Sequence, residues 1–251
     1  MNVGSLSPTV VTVTLEGGRL RTRLRTGLLR PQRLHGPPDR CRIGLLATSA
    51  LLLGGDGVRL EVDVGDGATL ELVDVAGTVA YDGRGRPAGW DVRVLVGAGG
   101  RLHWSGAPFV VGDGADVTRT LELDLAEDAQ GLVRETLVLG RAGQLGGRVR
   151  NVTTVRRASR PVLVEDTELD PAGHRRLPGM LGSARVLDTV MALGVPLPLA
   201  QPTDPADLGR FRLADPGSGL LRYLGADLDR SPLHHLWAAT TLSPRPLVAP
   251  R

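Results

Sequence analysis

Short runs in which every second residue is apolar recur along this chain, at spacings of roughly ten to fifteen residues. This pattern constrains the fold most, because such alternation gives an extended strand one buried face and one exposed face. Gly or Pro stands in most of the breaks and favours tight turns. The runs cover residues 10–15, 20–24, 58–64, 68–74, 90–96, 102–105, 117–125, 132–139, 148–155 and 162–169.

The succession predicts a mainly β fold, in which many short strands build a β-helical or solenoid-like body rather than alternating βαβ units. The composition agrees, since the 251 residues include 34 Gly and 18 Pro but only three Trp, two Tyr and two Phe. We expect one domain over residues 1–251, with a β body at 10–176, a helical part at 177–238 and a flexible tail at 239–251.

The C-terminal third changes its pattern, and we expect one or two helices there. Leu181, Ala184, Leu187 and Met191 follow each other at spacings that suit one face of a helix, and Gly194 can end it. The sequence therefore predicts an amphipathic helix within residues 177–194. A last segment at residues 220–239 is expected to be helical or mixed.

Charge and cysteine content exclude several classes of protein. The net charge of +3 is modest, and the basic residues are spread without aromatic interleaving, so we expect no nucleic-acid partner. Cys41 is the only cysteine, which excludes an internal disulfide and a cysteine zinc cluster. Arginines interrupt the N-terminal apolar residues, and no apolar run approaches a membrane span. We expect no membrane partner and a cytoplasmic location.

Three carboxylates fall on the apolar side of their predicted strands. Asp74 continues the phase of Leu70 and Leu72, although it could instead open a turn. Glu135 shares the phase of Val133 and Leu137 in mid-strand. Such a carboxylate must find donors or a cation, because burying an unpaired charge is costly. Glu135 therefore predicts either an ion pair with an Arg inside the β body or a carboxylate that lines an internal polar passage or forms a cation site.

Asp166 is the third and weaker example, in phase with Val162 and Val164.

Motifs for catalysis are missing from the sequence. It has no GxSxG elbow, no HExxH and no Cys-His pairing with catalytic spacing, and its five histidines are scattered. Glu165 and Asp166 alternate faces of a strand, so they cannot act jointly on one bond. We therefore expect a protein that is not an enzyme.

The order of several motifs resembles the urease accessory protein family called UreD, or UreH in some organisms. The motifs are LLLGGDGVRLEVDVGDGATLEL (51–72), LHWSGAPFVVGDGAD (102–116) and RETLVLGRAG (134–143), followed by GSARVLDTVMALG (182–194) and GLLRYLG (219–225). The resemblance spans about residues 10 to 238. The motif residues that we single out are Gly54, Gly55, Asp56, Tyr81, Gly140 and Arg141.

The resemblance implies a non-catalytic β-helical scaffold. Such a protein would bind apo-urease, recruit UreF and through it the GTPase UreG, and help to pass nickel into the urease active site through an internal channel. The implied nickel path would use Glu135 first, and then Asp74 and Asp166. No cofactor would be tightly bound, since carboxylates hold Ni²⁺ weakly enough to release it. The C-terminal helical region is one candidate surface for UreF, and packing of that region on the body is the alternative.

Two other classes of function remain open at this stage. A β-rich module that binds carbohydrate or another protein would explain the strands without a metal, but it predicts an exposed aromatic platform. A β-helical enzyme that acts on polysaccharide would need acids or bases clustered on one face, which the sequence cannot reveal.

Overall fold

Stacked β-strands dominate the computed structural model, which describes residues 7–174, 177, 179–197 and 208–239. The first nine strands are β1 (Thr9–Glu16), β2 (Arg19–Arg25), β3 (Leu29–Leu34), β4 (Cys41–Ala47), β5 (Gly57–Val64), β6 (Thr69–Asp74), β7 (Thr78–Ala80), β8 (Ala88–Val96) and β9 (Arg101–Ser105). The next five are β10 (Phe109–Val111), β11 (Asp116–Leu125), β12 (Gln130–Leu139), β13 (Arg148–Arg157) and β14 (Arg160–Leu169). The C-terminal elements are helix α1 (Pro171–His174), β15 (Val186–Leu193), β16 (Leu208–Arg212), β17 (Gly219–Gly225), a 3-10 turn (Leu228–Arg230) and helix α2 (Leu233–Ala239).

The strands form two large sheets. The first sheet has the order β14-β13-β11-β8-β5-β1-β2, and the second has the order β16-β17-β15-β12-β9-β6-β4-β3. The short strands β7 and β10 pair with each other, and β10 also pairs with β12.

Successive coils of the chain stack on one another in the middle of the molecule. Strands β1, β5, β8, β11 and β13 pair in parallel in the first sheet, and β4, β6, β9 and β12 do so in the second. From β5 to β13 the chain returns to each sheet once per coil, which is the arrangement of a β-helix. The predicted solenoid-like β body is therefore confirmed. Antiparallel strands close its ends, for example the hairpin β1–β2 and the pair β13–β14.

Aspartates in the turns connect neighbouring coils. The Oδ1 atom of Asp66, in a Gly-Asp-Gly turn, accepts a hydrogen bond from the backbone N–H of Ala98 in the next coil at 2.8 Å. Asp128 does the same for Gly99 at 2.8 Å. These turn aspartates thus satisfy backbone N–H groups between the strands.

The core has two parts, one inside the β-helix and one on the outer face of the second sheet. Strand β12 contributes to both parts, because Val133 and Leu137 face the interior while Leu132 and Val138 face outward. Leu233 of α2 is fully buried in the outer part. A strand that is buried on both faces needs apolar residues on both faces.

This double burial explains why the predicted helix within residues 177–194 is wrong. Residues 186–193 form strand β15, which pairs antiparallel with β12 and β17. Seven of its eight residues are buried, so its apolar residues are nearly continuous and period two disappears. Apolar residues three or four apart then resemble one face of a helix, and the pattern alone cannot separate the two structures.

The last segment, predicted to be helical or mixed, is mixed: β17, the 3-10 turn and α2 lie within it. The predicted tail at 239–251 falls almost entirely outside the described residues. The apolar face of α2 does not serve as a free docking face, since Leu233, Leu236 and Trp237 pack in the outer part of the core. Trp237 also lies against the His103 ring of β9, with ring centroids 4.4 Å apart.

Candidate functional site

The interior of the β-helix contains polar side chains where apolar residues are expected. Along β11 the inward positions are Val117, Arg119, Leu121 and Leu123, so an arginine occupies one place in an otherwise apolar row. Glu135 takes the corresponding place on β12, between Val133 and Leu137. The inward orientation expected for Glu135 from its phase is what the structure shows.

Glu135 is held by an ion pair, the first of the two alternatives left open by the sequence. The Nη2 atom of Arg119 donates to Oε1 of Glu135 at 2.9 Å, and Nη1 donates to Oδ1 of Asn151 on β13 at 2.8 Å. The guanidinium lies over the Phe109 ring, 4.5 Å from its centroid. The two side chains are 10% and 19% exposed, so water screens the pair poorly.

Asp74 is the last residue of β6 and lies near this pair. Its Oδ1 accepts a hydrogen bond from the indole Nε1–H of Trp104 at 3.2 Å, and its Oδ2 accepts one from the backbone N–H of Ala107 at 3.2 Å. Removal from water raises the pKa of the carboxyl from 3.8 to about 6, because this effect outweighs the two hydrogen bonds and the nearby charge of Arg119. The Asp74 carboxyl therefore changes its protonation state near pH 6.

Asp166 lies on the opposite side from the one that its phase suggested. It is exposed and pairs with Arg150, with N–O distances of 2.9 and 2.6 Å. The apolar neighbour that set the phase, Val164, is itself 69% exposed, because it shares the solvent-facing side of β14 with Asp166 and Glu168. The inward carboxylate of this strand is Glu165.

Glu165 forms a second charged pair in the interior. Arg222 on β17 binds it in a bidentate manner, with Nη1–Oε1 and Nη2–Oε2 distances of 2.6 and 2.8 Å. The hydrogen bond from Arg222 holds the pKa of the Glu165 carboxyl below its usual value. Both side chains are 24% exposed, so this pair reaches the surface of the protein.

Two small cavities lie among these groups. One is lined by Asp74, Trp104, Arg119 and Glu135 among others, and the other by Arg119, Glu135, Glu165 and Arg222 among others. Each has a volume of about 20 Å³, which is room for about one water molecule. Arg119 and Glu135 border both cavities. We call the five residues Asp74, Arg119, Glu135, Glu165 and Arg222 the polar strip.

The opposite face of β12 carries a different network. Arg134 binds the fully buried Asp188 of β15 through Nε and Nη2 at 3.1 and 2.9 Å. The hydroxyl groups of Thr136 and Ser231 also donate to Asp188, at 2.9 and 2.6 Å. Ser231 lies between the 3-10 turn and α2. This Asp188 network therefore attaches the C-terminal helix to the second sheet.

Comparison with known proteins identifies the family. A family model described as UreD urease accessory protein matches residues 10–250. A urease accessory protein UreD 1 from Streptomyces griseus subsp. griseus is 47% identical over 214 residues, which cover 84% of this chain and 82% of the relative. The UreD proteins of Streptomyces coelicolor and Frankia alni are each 32% identical, over 75% and 74% of this chain and 85% and 68% of their own lengths.

The chain belongs to the UreD family. The resemblance that the sequence motifs indicated is thus confirmed. UreD proteins are urease accessory proteins and not enzymes, so this protein has a role in urease maturation.

The UreD motif residues lie apart from the polar strip and shape the turns. In the turn before β5, Gly55 has a φ of +95°, and the Oδ2 atom of Asp56 accepts a hydrogen bond from the N–H of Leu53 at 3.0 Å. A Cβ on Gly54 would collide with the backbone of Gly83. These three positions fix a tight crossing of two coils.

The motifs around Tyr81 and Gly140 meet at the surface of this UreD-family protein. Gly140, with a φ of +77°, donates its N–H to the carbonyl of Val111 at 2.8 Å. The guanidinium of the next residue, Arg141, lies 5.8 Å from the centroid of the Tyr81 ring. Tyr81 is 39% exposed, so this pair is part of the outer surface.

Sequence reasoning missed Arg119, Glu165 and Arg222. For Arg119 a signal was present, since period two over residues 117–125 places it in phase with Leu121 and Leu123. Arg222 gave no such signal, because residues 220–239 were predicted to be helical or mixed, so no strand was assigned around Arg222 from which its inward position could be inferred. In the described residues, no three or more His, Cys, Asp or Glu side chains lie close enough together to hold a metal ion. Within the same residues, no helix has the length and apolarity needed to cross a lipid bilayer.

Proposed function

We propose that this protein is the scaffold of urease maturation that binds apo-urease, recruits UreF and through it UreG, and helps to deliver nickel. The proposal includes a cytoplasmic location. The observation that carries the nickel role is the succession of Asp74, Glu135 and Glu165 along the polar strip. A line of carboxylates inside a β-helix, with one end at the surface, gives a divalent cation a series of oxygen ligands to move between.

The chemistry of the strip suits a cation in transit. Imidazole nitrogen suits Ni²⁺ better than carboxylate oxygen does. A set of carboxylates with few other ligands would therefore bind nickel weakly and release it. The two cavities of about 20 Å³ are too small for a fully hydrated ion. A passing ion would have to exchange water ligands for the oxygens of the strip.

A carbohydrate-binding module is less well supported. Trp90 and Trp104 are 7% and 4% exposed, and Trp237 packs against His103. The tryptophans therefore offer no flat exposed platform of the kind that stacks on sugars.

Deletion of the gene beside an intact urease operon tests the role as a whole. We expect urease to be made but to contain little nickel when the metal is limiting, as measured by metal analysis of the purified enzyme. Full nickel content without this protein would contradict the proposal. Pull-down of the tagged protein with the urease subunits, UreF and UreG tests the partners separately.

The variant Glu135→Gln tests the path. Glutamine keeps the size of the side chain and its hydrogen bond with Arg119 but removes the charge. We expect the accessory complex to assemble and the nickel content of urease to fall at limiting nickel. Asp166→Asn is the matched control, because it removes an exposed carboxylate that lies outside the strip. Equal nickel loading in both variants would remove Glu135 from the path.

A further inference from the structure

Arg119 is held less completely than Arg222, the other arginine of the polar strip. It makes one hydrogen bond to the Glu135 carboxylate and one to Asn151, and its buried Nε–H has no partner among the described residues. Arg222 instead binds Glu165 through two nitrogens and donates its Nε–H to Thr189 at 3.2 Å. An unpaired buried N–H is unfavourable, so Arg119 is the more easily displaced of the two arginines of the polar strip.

The position of Arg119 is also the one that a cation would take. Its positively charged guanidinium borders the cavity that Asp74 and Glu135 share. Arg134 also borders this cavity but is paired with Asp188, so the single charge of Arg119 is left to face the two carboxyl groups. A divalent ion in the place of Arg119 would neutralise both carboxylates when they are ionised. The arginine and the ion cannot occupy the cavity together, because like charges repel strongly away from water.

We infer that Arg119 occupies a latent divalent-cation site, formed by the carboxylates of Glu135 and Asp74, which opens only when Arg119 turns away. In the closed state Glu135 is paired and unavailable to a metal. In the open state the cavity beside Asp74 is enlarged by the volume of the guanidinium, and the carboxylates of Glu135 and Asp74 become free to bind the ion. The assignment of nickel as the ion rests on the proposed function, whereas the site itself rests on Arg119, Glu135 and Asp74.

Binding of Ni²⁺ to the purified full-length chain tests the site. Arg119→Met removes the charge and keeps an unbranched apolar side chain that can lie on Phe109. With nickel chloride in calorimetry or equilibrium dialysis at about pH 7.5, we expect this variant to bind one ion more tightly than the wild type by about tenfold or more. The double variant Arg119→Met/Glu135→Gln should lose the gain.

Two further variants distinguish the latent site from the mere release of a carboxylate. Arg150→Met frees the exposed Asp166 and should leave nickel binding at the wild-type level. Arg119→Lys keeps a positive charge and should give a smaller gain than Arg119→Met, and it also serves if the methionine variant does not fold by circular dichroism. Equal affinity of wild type and both Arg119 variants would overturn the inference, as would an equal gain in Arg150→Met.

The outcome can be separated from that of the proposed function. If Arg119→Met gains a nickel site but Glu135→Gln leaves the nickel content of urease unchanged in cells, the site exists and the delivery role fails. If Glu135→Gln lowers the nickel content but Arg119→Met binds no additional ion, the delivery role stands and the latent site fails.

Discussion

The two faces of strand β12 carry charged groups that differ in how completely they are hydrogen-bonded. On the outer face, Asp188 accepts four hydrogen bonds, from Arg134, Thr136 and Ser231, and is fully buried. On the inner face, Glu135 accepts one hydrogen bond from the described residues, that of Arg119, and lies beside a cavity with room for about one water molecule. A fully satisfied network fixes a structure, whereas a partly satisfied one leaves groups that can exchange partners. The difference separates the structural face of the strand from the face that we propose to be functional.

The largest expected effect is on the structural face. Asp188→Ala leaves Arg134 buried without its counter-ion, so we expect the free energy of unfolding to fall by about 3 to 5 kcal/mol. Urea denaturation followed by circular dichroism measures it. A loss below about 1 kcal/mol, as for an exposed pair, would break the comparison.

A smaller stability effect is expected on the functional face. Glu135→Gln keeps a hydrogen bond with Arg119 but removes the opposite charge, and we expect a loss of about 1 to 2 kcal/mol in the same measurement. Asp188→Asn is the isosteric control on the other face and should cost more. If Glu135→Gln proved the more damaging of the two, the inner pair would be the structural one.

The pH dependence of stability tests the environment of Asp74. Its pKa is about 6 in the folded protein and 3.8 for the free side chain, so the folded state binds the proton more tightly. Stability therefore rises as the pH falls through 6 and is lost as the pH rises, by about 1.4 kcal/mol between pH 7.5 and pH 5. The difference between wild type and Asp74→Asn isolates this contribution, and an identical pH profile in both would place Asp74 in water.

The smallest effect is expected outside both networks. Asp166→Ala breaks an exposed ion pair with Arg150, and we expect a change within about 1 kcal/mol. The measurement is urea denaturation, and the effect should shrink further in high salt because exposed charges are screened. A loss as large as that of Asp188→Ala would mean that the outer face of β14 is covered rather than exposed.

Period two in the sequence was sufficient for the inner face of the β-helix. It predicted the inward orientation of Glu135, and the same rule applied to residues 117–125 finds Arg119. It misled at β14, where Val164 is apolar yet 69% exposed. Alternation reports which residues share a face of a strand, but not which face is covered, and at the last strand of a sheet nothing in the local sequence shows what lies above it.

The sequence by itself determined that this chain forms many short strands, that a carboxylate lies inside their body, and that the motifs are those of the UreD family. The tertiary structure decided that residues 186–193 are a strand rather than a helix, because burial on both faces removes the alternation that marks a strand. It also decided the partners of the inward charges. Glu135 and Arg119 are separated by 16 residues and Glu165 and Arg222 by 57, and each pair joins a strand of the first sheet to a strand of the second, so only the packing of the two sheets against each other brings them together.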